Sequence, residues 1–275
     1  MDLYCYLNGE ILPESEAKIG VKDIALLRGF GAYEGITAFK GEPFRLGDHY
    51  KRLEKSATFL GLKLPVTEPQ LLGIIKTLWA KHDFPRANFR VILTGGETRH
   101  GIEPSPDQLT FYILTEKFVP IDQTLYESGA KVITREYERP FPEYKTTNYI
   151  AAVRWQLARQ QAGALEIVYL NNGKLLEAST SNVFIVKDGK LITPDQGILF
   201  GITRQVVLEL ARAQGIACET RPVTKAEFLA ADEVLITSSY KDVVPVVKID
   251  ETVVGDGQVG AVSRQLVKGF QALVN

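Results

Sequence analysis

Four dipeptides constrain this chain more than any other feature: Asn8-Gly9, Lys40-Gly41, Asn172-Gly173 and Asp188-Gly189. Each separates two short strand-like segments. A two-residue loop of this kind joins antiparallel strands because both of its residues can take positive φ, which matches the twist of the pair. Hairpins in both halves rule out an all-helical protein. Between the strands, apolar residues recur at helical spacing over 48–60, 68–82, 147–161, 203–214 and 258–273. In the fourth stretch Val206, Val207, Leu210 and Ala211 share a face, and Gly215 stands where a C-terminal cap belongs. Strands and helices do not alternate strictly, so the expectation is a mixed α+β fold rather than a doubly wound parallel sheet.

A chain of 275 residues can bury two modest cores. The apolar run "LTFYIL" gives way to the charged, proline-bearing "TEKFVPID", which predicts a small N-terminal domain over 1–116, a linker over 117–122 and a larger domain over 123–275. The formal charge is only -1, which leaves no footprint for nucleic acid or an anionic membrane. Cys5 and Cys218 are far apart, with no CxxC and no histidine pair nearby, so neither a zinc site nor a disulfide framework is expected. Acidic residues follow Met1 closely, and no apolar span reaches the length of about 18 residues that a membrane helix needs. The expectation is a soluble, cytoplasmic protein that acts on small molecules.

Three local features carry chemistry. Lys145 follows the approach Arg139, Pro140, Phe141, Pro142 and precedes a helical pattern. A lysine in a partly desolvated site has its pKa lowered, and the neutral amine attacks an aldehyde to form a Schiff base; the alternative is a solvated surface charge. Glu177 closes a strand in "LLEASTSNVFIV", where an exposed glutamate in a polar turn is the plainer reading. In "LFGITRQVV" a glycine enters a helix at Ile202 and Thr203, whose free N–H groups suit a phosphate, although many helices begin this way without a ligand. An amine, a carboxylate and an anion-binding helix start together meet the needs of pyridoxal 5'-phosphate. No metal is called for.

The ordered motifs "YLNGEILP", "HYKRLEKSA", "KTTNYIAA", "LEASTSNVFIVKDGKLITP", "GITRQVV" and "ADEVLITSSYKDVVPVVKID" resemble the fold type IV pyridoxal-phosphate enzymes. These class IV aminotransferases include D-amino-acid and branched-chain transaminases and aminodeoxychorismate lyase. The resemblance covers nearly the whole chain and implies two domains, a small α/β N-terminal one and a larger pseudo-barrel that binds the cofactor. It implies that Lys145 holds the cofactor and shuttles a proton, while Glu177 faces the ring nitrogen and keeps it protonated. Arg52 would grip the phosphate with the backbone of Ile202 and Thr203 and the hydroxyl of Ser239. Tyr149 would lie beside the phenolic oxygen, though the spacing to the lysine is one residue short of the branched-chain pattern.

For the substrate, the resemblance places Arg28 where relatives carry tyrosine or phenylalanine, in a loop that reaches the neighbouring subunit's site. A homodimer is therefore implied. A cation there suits carboxylate capture; pairing with an acid such as Asp23 is the other reading. Tyr33 aligns with an aromatic that shapes the pocket. Arg90 stands mid-strand in an apolar run and calls for an anionic partner; branched-chain relatives use an arginine there to receive a dicarboxylate's side chain. His100, next to Arg99, is similar to an Arg-x-His carboxylate trap with its spacing closed up. "STSNVFIVKDG" and "VVKIDETVVGDGQVG" look closer to the D-amino-acid enzymes. The expected reaction is transfer of an amino group between D-alanine or D-glutamate and 2-oxoacids. L-branched-chain transamination is the runner-up, aminodeoxychorismate lyase the third reading. A fold relative that only binds would lack the lysine or the glutamate, and both are present.

Overall fold

The computed structural model describes residues 3–82 and 84–274, so the opening Met1-Asp2 lies outside it. The chain divides into two compact units. The first is Met1–Val119 with Tyr144–Tyr149, and the second is Pro120–Glu143 with Ile150–Asn275.

Among the described residues the first unit contains one antiparallel six-stranded sheet. Its order is Glu10–Pro13, Tyr4–Leu7, Thr110–Lys117, Arg86–Thr94, Gly31–Phe39, Glu42–Pro43. The central pair runs without a break from Gly31 opposite Thr94 to Phe39 opposite Arg86. Helices Leu46–Phe59 and Glu68–Trp79 bring Leu53, Ala57, Leu71, Ile75 and Leu78 into one core with Ile36, Phe89, Val91 and Phe111. Burying each Leu, Ile or Phe side chain contributes about 1.5–3 kcal/mol, so this cluster holds the helices to the sheet. The second helix is closed at its start by Gln70, whose side chain accepts the Thr67 N–H at 2.8 Å.

The second unit contains a sheet of ten strands among the described residues. The path is Cys218–Thr220, Lys190–Thr193, Asn182–Lys187, Glu233–Ser238, Asp242–Ile249, Ala130–Glu136, Glu166–Asn171, Lys174–Ala178, Val223–Thr224, and Thr252–Val253 pairs with Asp242–Ile249. Most pairs are antiparallel, but Ala130–Glu136 is parallel to both of its neighbours. Helices Ile202–Ala213 and Ala261–Val274 pack on each other and on this sheet. The mixed α+β expectation holds. All four turn dipeptides take positive φ at both residues, for example 49° and 73° at Asn172 and Gly173.

One stretch differs from the sequence reading. The helical pattern over 147–161 yields helices only at Ile150–Arg154 and Gln156–Gln161, because the backbone just before them bonds to the strand Gly31–Phe39. Thr146 bridges Ala32, and the Thr147 N–H donates to Gly31 O at 2.9 Å. These same bonds explain why Tyr144–Tyr149 belongs to the first unit although it follows the linker in sequence.

Candidate active site

In the first unit, the backbone of Lys145 is fixed on both sides before its side chain is considered. Its N–H donates to Ser56 Oγ at 3.0 Å, and its carbonyl accepts from Tyr33 N at 3.0 Å. The side chain is half-buried, and Nζ lies 3.1 Å from Tyr33 Oη. Tyr149 meets Tyr33 edge to face, with ring centroids 5.5 Å apart. Lys145, Tyr33 and Tyr149, selected separately from the sequence, therefore form one group.

Alternation along Gly31–Phe39 turns Tyr33 and Glu34 to opposite faces. Glu34 is fully buried against the helix that carries His49, Arg52 and Ser56 at spacings of three and four residues. Arg52 forks onto it, Nε to Oε1 at 2.7 Å and Nη2 to Oε2 at 2.8 Å, and His49 Nδ1 sits 2.7 Å from Oε2. Burial pushes the Glu34 carboxyl up, but Arg52 and His49 outweigh it and hold its pKa at about 2. Burial lowers His49 despite its bond to Glu34. Arg52 is thus presented in a fixed orientation by a carboxylate that the sequence reading did not single out.

The substrate candidates lie elsewhere in this unit. Arg28 ends the short helix Ile24–Arg28 and is exposed. Asp23 is not its partner: that carboxylate is buried, caps the helix through Ala25 N at 2.8 Å, and accepts from Thr94 and Thr110 at 2.7 Å each. The Arg28 guanidinium instead lies beside Gly101, 3.6 Å from where a Cβ on that glycine would stand. Arg28 and the loop bearing Arg99 and His100 therefore adjoin. His100 is exposed in that loop. Arg90 has the anionic partner its position demanded, as Glu116 on the neighbouring strand accepts from Nε and Nη2 at 3.1 Å each.

In the second unit Glu177 is 5% exposed, with both carboxylate oxygens engaged. Arg139 Nε donates to Oε1 at 2.6 Å and Leu199 N to Oε2 at 2.9 Å. Leu199 is three residues from Ile202, at most about 10 Å of extended chain. The Glu177 anchor and the helix start thus lie within reach of one small molecule. Helix Ile202–Ala213 begins at Gly201 without a side-chain cap, which leaves its first turn suited to an anion. Ser239 lies in the turn after Glu233–Ser238. That turn is tied down by Lys241, whose Nζ donates to Glu166 Oε2 at 3.0 Å. Glu166 also accepts from Ser179, from Thr180 at 2.7 Å and from Ser181 at 2.9 Å, so one buried carboxylate fixes both this turn and the one after Glu177. The sequence reading named neither Arg139 nor Glu166 as a site residue. The signal available for both was a charged residue next to an apolar strand.

A family model described as amino-transferase class IV matches residues 31–249. A protein of Methanocaldococcus jannaschii provisionally named as a branched-chain-amino-acid aminotransferase is 34% identical over 97% of this chain and 94% of its own length. A D-alanine aminotransferase of Staphylococcus epidermidis is 31% identical, covering 98% of this chain and 97% of its own. Among solved structures, a T.th. branched-chain amino acid aminotransferase with pyridoxamine 5'-phosphate superposes with a TM-score of 0.93 at 27% identity, over 100% of this chain and 94% of that one. The Escherichia coli branched-chain enzyme gives 0.93 at 26%, over 100% and 95%.

The two-sheet fold is therefore that of the fold type IV pyridoxal-phosphate enzymes. The chain belongs to the class IV aminotransferases, and pyridoxal phosphate is its cofactor. Each unit holds residues of the kind that group needs: a half-buried amine in the first, and in the second a buried carboxylate with fixed oxygens and an uncapped helix start on a glycine. No helix among the described residues is long and apolar enough to cross a membrane.

Gly201 gives a direct check on the helix start. A Cβ there would stand 2.0 Å from Asn182 Oδ1, and Asn182 is held in place by donating to Leu199 O at 2.7 Å. Gly201→Ala should raise the cofactor's Kd at least about tenfold, or about 1.4 kcal/mol, read by equilibrium ultrafiltration. Unchanged affinity would remove the phosphate from this helix.

Proposed function

We propose that this chain is a D-amino-acid transaminase, moving the amino group between D-alanine or D-glutamate and 2-oxoacids as a cytoplasmic homodimer. The observation that carries the reading is the exposed Arg28 beside the loop of Arg99 and His100, a cluster of cationic and imidazole donors suited to a substrate carboxylate. The D-alanine aminotransferases among the relatives support it.

When bound, the cofactor supplies the electron sink for the pair left as the α-proton departs. Lys145 Nζ would take that proton and give it back during transfer, and its pinned backbone limits the travel of the amine. Glu177 would hold a proton at the ring nitrogen. Arg52, the Ile202 and Thr203 N–H groups and Ser239 Oγ would bind the phosphate, and Tyr149 would offer its hydroxyl to the phenolic oxygen. Tyr33 shapes the pocket beside the amine. Arg90 receives the second carboxylate of D-glutamate, in competition with Glu116. Orientation of the carboxylate matters because the α-C–H bond must stand perpendicular to the ring.

Exposed Leu26 and Leu27 flank Arg28, and exposed Ile102 lies in the neighbouring loop, the kind of apolar surface that a second copy covers. Arg28 acts in the partner's site in this reading. Arg28→Ala should then raise the KM for D-glutamate about 100-fold and leave cofactor affinity intact, as expected when a charge-assisted hydrogen bond worth about 1.5–3 kcal/mol is lost. Mixed with Lys145→Ala protein, it should regain activity through hybrid dimers that hold one intact site. No recovery, with hybrid dimers confirmed by native mass spectrometry, would place Arg28 in its own subunit's site.

A second reading rests on the branched-chain names of the other relatives and of the solved structures. Single-turnover reactions with D- and L-glutamate, D- and L-alanine and L-leucine separate the two. Conversion of the cofactor to its amino form by the D-isomers supports the proposal, and conversion by L-leucine alone ends it.

A further inference from the structure

Glu177 is not an isolated carboxylate. It sits at 5% exposure with Arg139, itself only 8% exposed, against one of its oxygens at 2.6 Å. Arg139 is held in turn: its Nη2 donates to Pro142 O at 2.6 Å, closing the turn through Phe141, whose φ is +53°. The other Glu177 oxygen takes the Leu199 N–H. The carboxylate thus receives a cationic donor on one oxygen and a neutral donor on the other. Each carboxylate oxygen can accept more than one hydrogen bond, so these two donors do not by themselves saturate it.

We infer that Arg139 is a positioning residue that decides where the proton between Glu177 and the cofactor ring resides; this rests on the assignment of Glu177 to the ring nitrogen. A buried carboxylate without a cation gains proton affinity, because burial disfavours its charged form. A guanidinium in contact with the carboxylate reverses that. It also disfavours positive charge at the ring nitrogen, but that atom lies beyond the carboxylate, and Coulomb interaction weakens with distance. The net effect of Arg139 is to keep the proton on nitrogen and the carboxylate anionic. Without Arg139 the N–H bond breaks, an O–H bond forms on Glu177, and the ring nitrogen becomes a neutral acceptor. No oxidant or other reactant takes part.

The pairing also separates charge from hydrogen bonding, since glutamine at position 139 preserves a donor without the charge, whereas lysine preserves a charged donor. Arg139→Gln keeps an N–H donor without the charge, and Arg139→Lys keeps the charge on a different donor. The test uses holoenzyme loaded with cofactor isotopically labelled at the ring nitrogen and follows that nitrogen by NMR against pH. In native protein and in Arg139→Lys the resonance should stay at the protonated-pyridine position through neutral pH. In Arg139→Gln it should move most of the way to the unprotonated position.

A native resonance in Arg139→Gln, with cofactor bound, would overturn the inference. So would an equal shift in both variants, which is the signature of a merely structural role. Glu177→Gln serves as the control: it should give the unprotonated position, and a native resonance there would instead remove Glu177 from the ring nitrogen. Arg139→Lys preserves the ion pair that stabilises the fold, so at least one informative variant remains if the glutamine protein does not fold.

Discussion

Lys145→Ala is expected to lower the transamination rate by at least about 10⁴-fold, because in the proposed mechanism one group both attaches the cofactor and moves the proton, and proton transfer by a positioned side chain alone contributes about 10²–10⁴. The fold should be little changed. The backbone bonds of residue 145 to Ser56 and Tyr33 do not involve its side chain, and the side chain is only half-buried. A second measurement separates loss of chemistry from loss of binding. After borohydride reduction the native chain should gain the mass of the cofactor, and the variant should not. A variant that still turns over, or that still carries reduced cofactor, would assign the amine to another lysine.

The second large effect lies beneath Arg52. Glu34→Gln removes the carboxylate that neutralises Arg52, which is 11% exposed, and leaves a buried guanidinium with no counter-charge from residue 34. Breaking a buried pair in this way costs about 3–5 kcal/mol. Denaturant titration should show the whole loss at neutral pH, and cofactor affinity should fall with it. The same network predicts acid sensitivity. The Glu34 pKa is depressed to about 2 in the folded state from an ordinary 4.5. Its contribution is therefore present above 4.5 and is lost as pH falls towards 2. His49, also lowered on folding from an ordinary 6.5, acts in the same direction from a higher pH, since stability that depends on its neutral form declines as pH falls below 6.5. Native protein should lose stability in two stages on acidification. Glu34→Gln should show a smaller loss over the lower stage, to which the lowered buried carboxylate of Glu166 also contributes, and a variant with an unaltered acid profile would exclude Glu34 as a source.

Much of the candidate site was legible in the sequence because its residues sit in short-range patterns. Glu177 closes a strand, Ile202 and Thr203 open a helix after a glycine, and Arg52 occupies one face of an amphipathic helix, features set within a few residues of each. The partners of these residues were not legible. Glu34 is 18 positions from Arg52, Arg139 is 38 from Glu177, and Lys241 is 75 from Glu166. Nothing local distinguishes a buried glutamate awaiting an arginine from one facing water. Asp23 shows the reverse error: beside Arg28 it reads as a surface acid, yet it is buried under two threonine hydroxyls from distant strands.

The helix pattern over 147–161 failed for a related reason. Periodicity records which side chains can share an apolar face, but the backbone at Thr146 and Thr147 hydrogen-bonds to the strand at Gly31 and Ala32 instead.

By itself, then, the sequence determined the hairpins, four of the five long helical segments and the class of fold, and it supplied the candidates for the amine, the acid and the helix start of the proposed site. These follow from φ preferences, apolar periodicity and functional groups, which act over a few residues. Tertiary structure alone decided that Lys145 lies outside any helix, bonded to Tyr33 and Ser56, that Arg52 is oriented by Glu34, and that Glu177 meets Arg139. Those are contacts between segments far apart in the chain, and they form only once burial makes an unpaired charge too costly to leave.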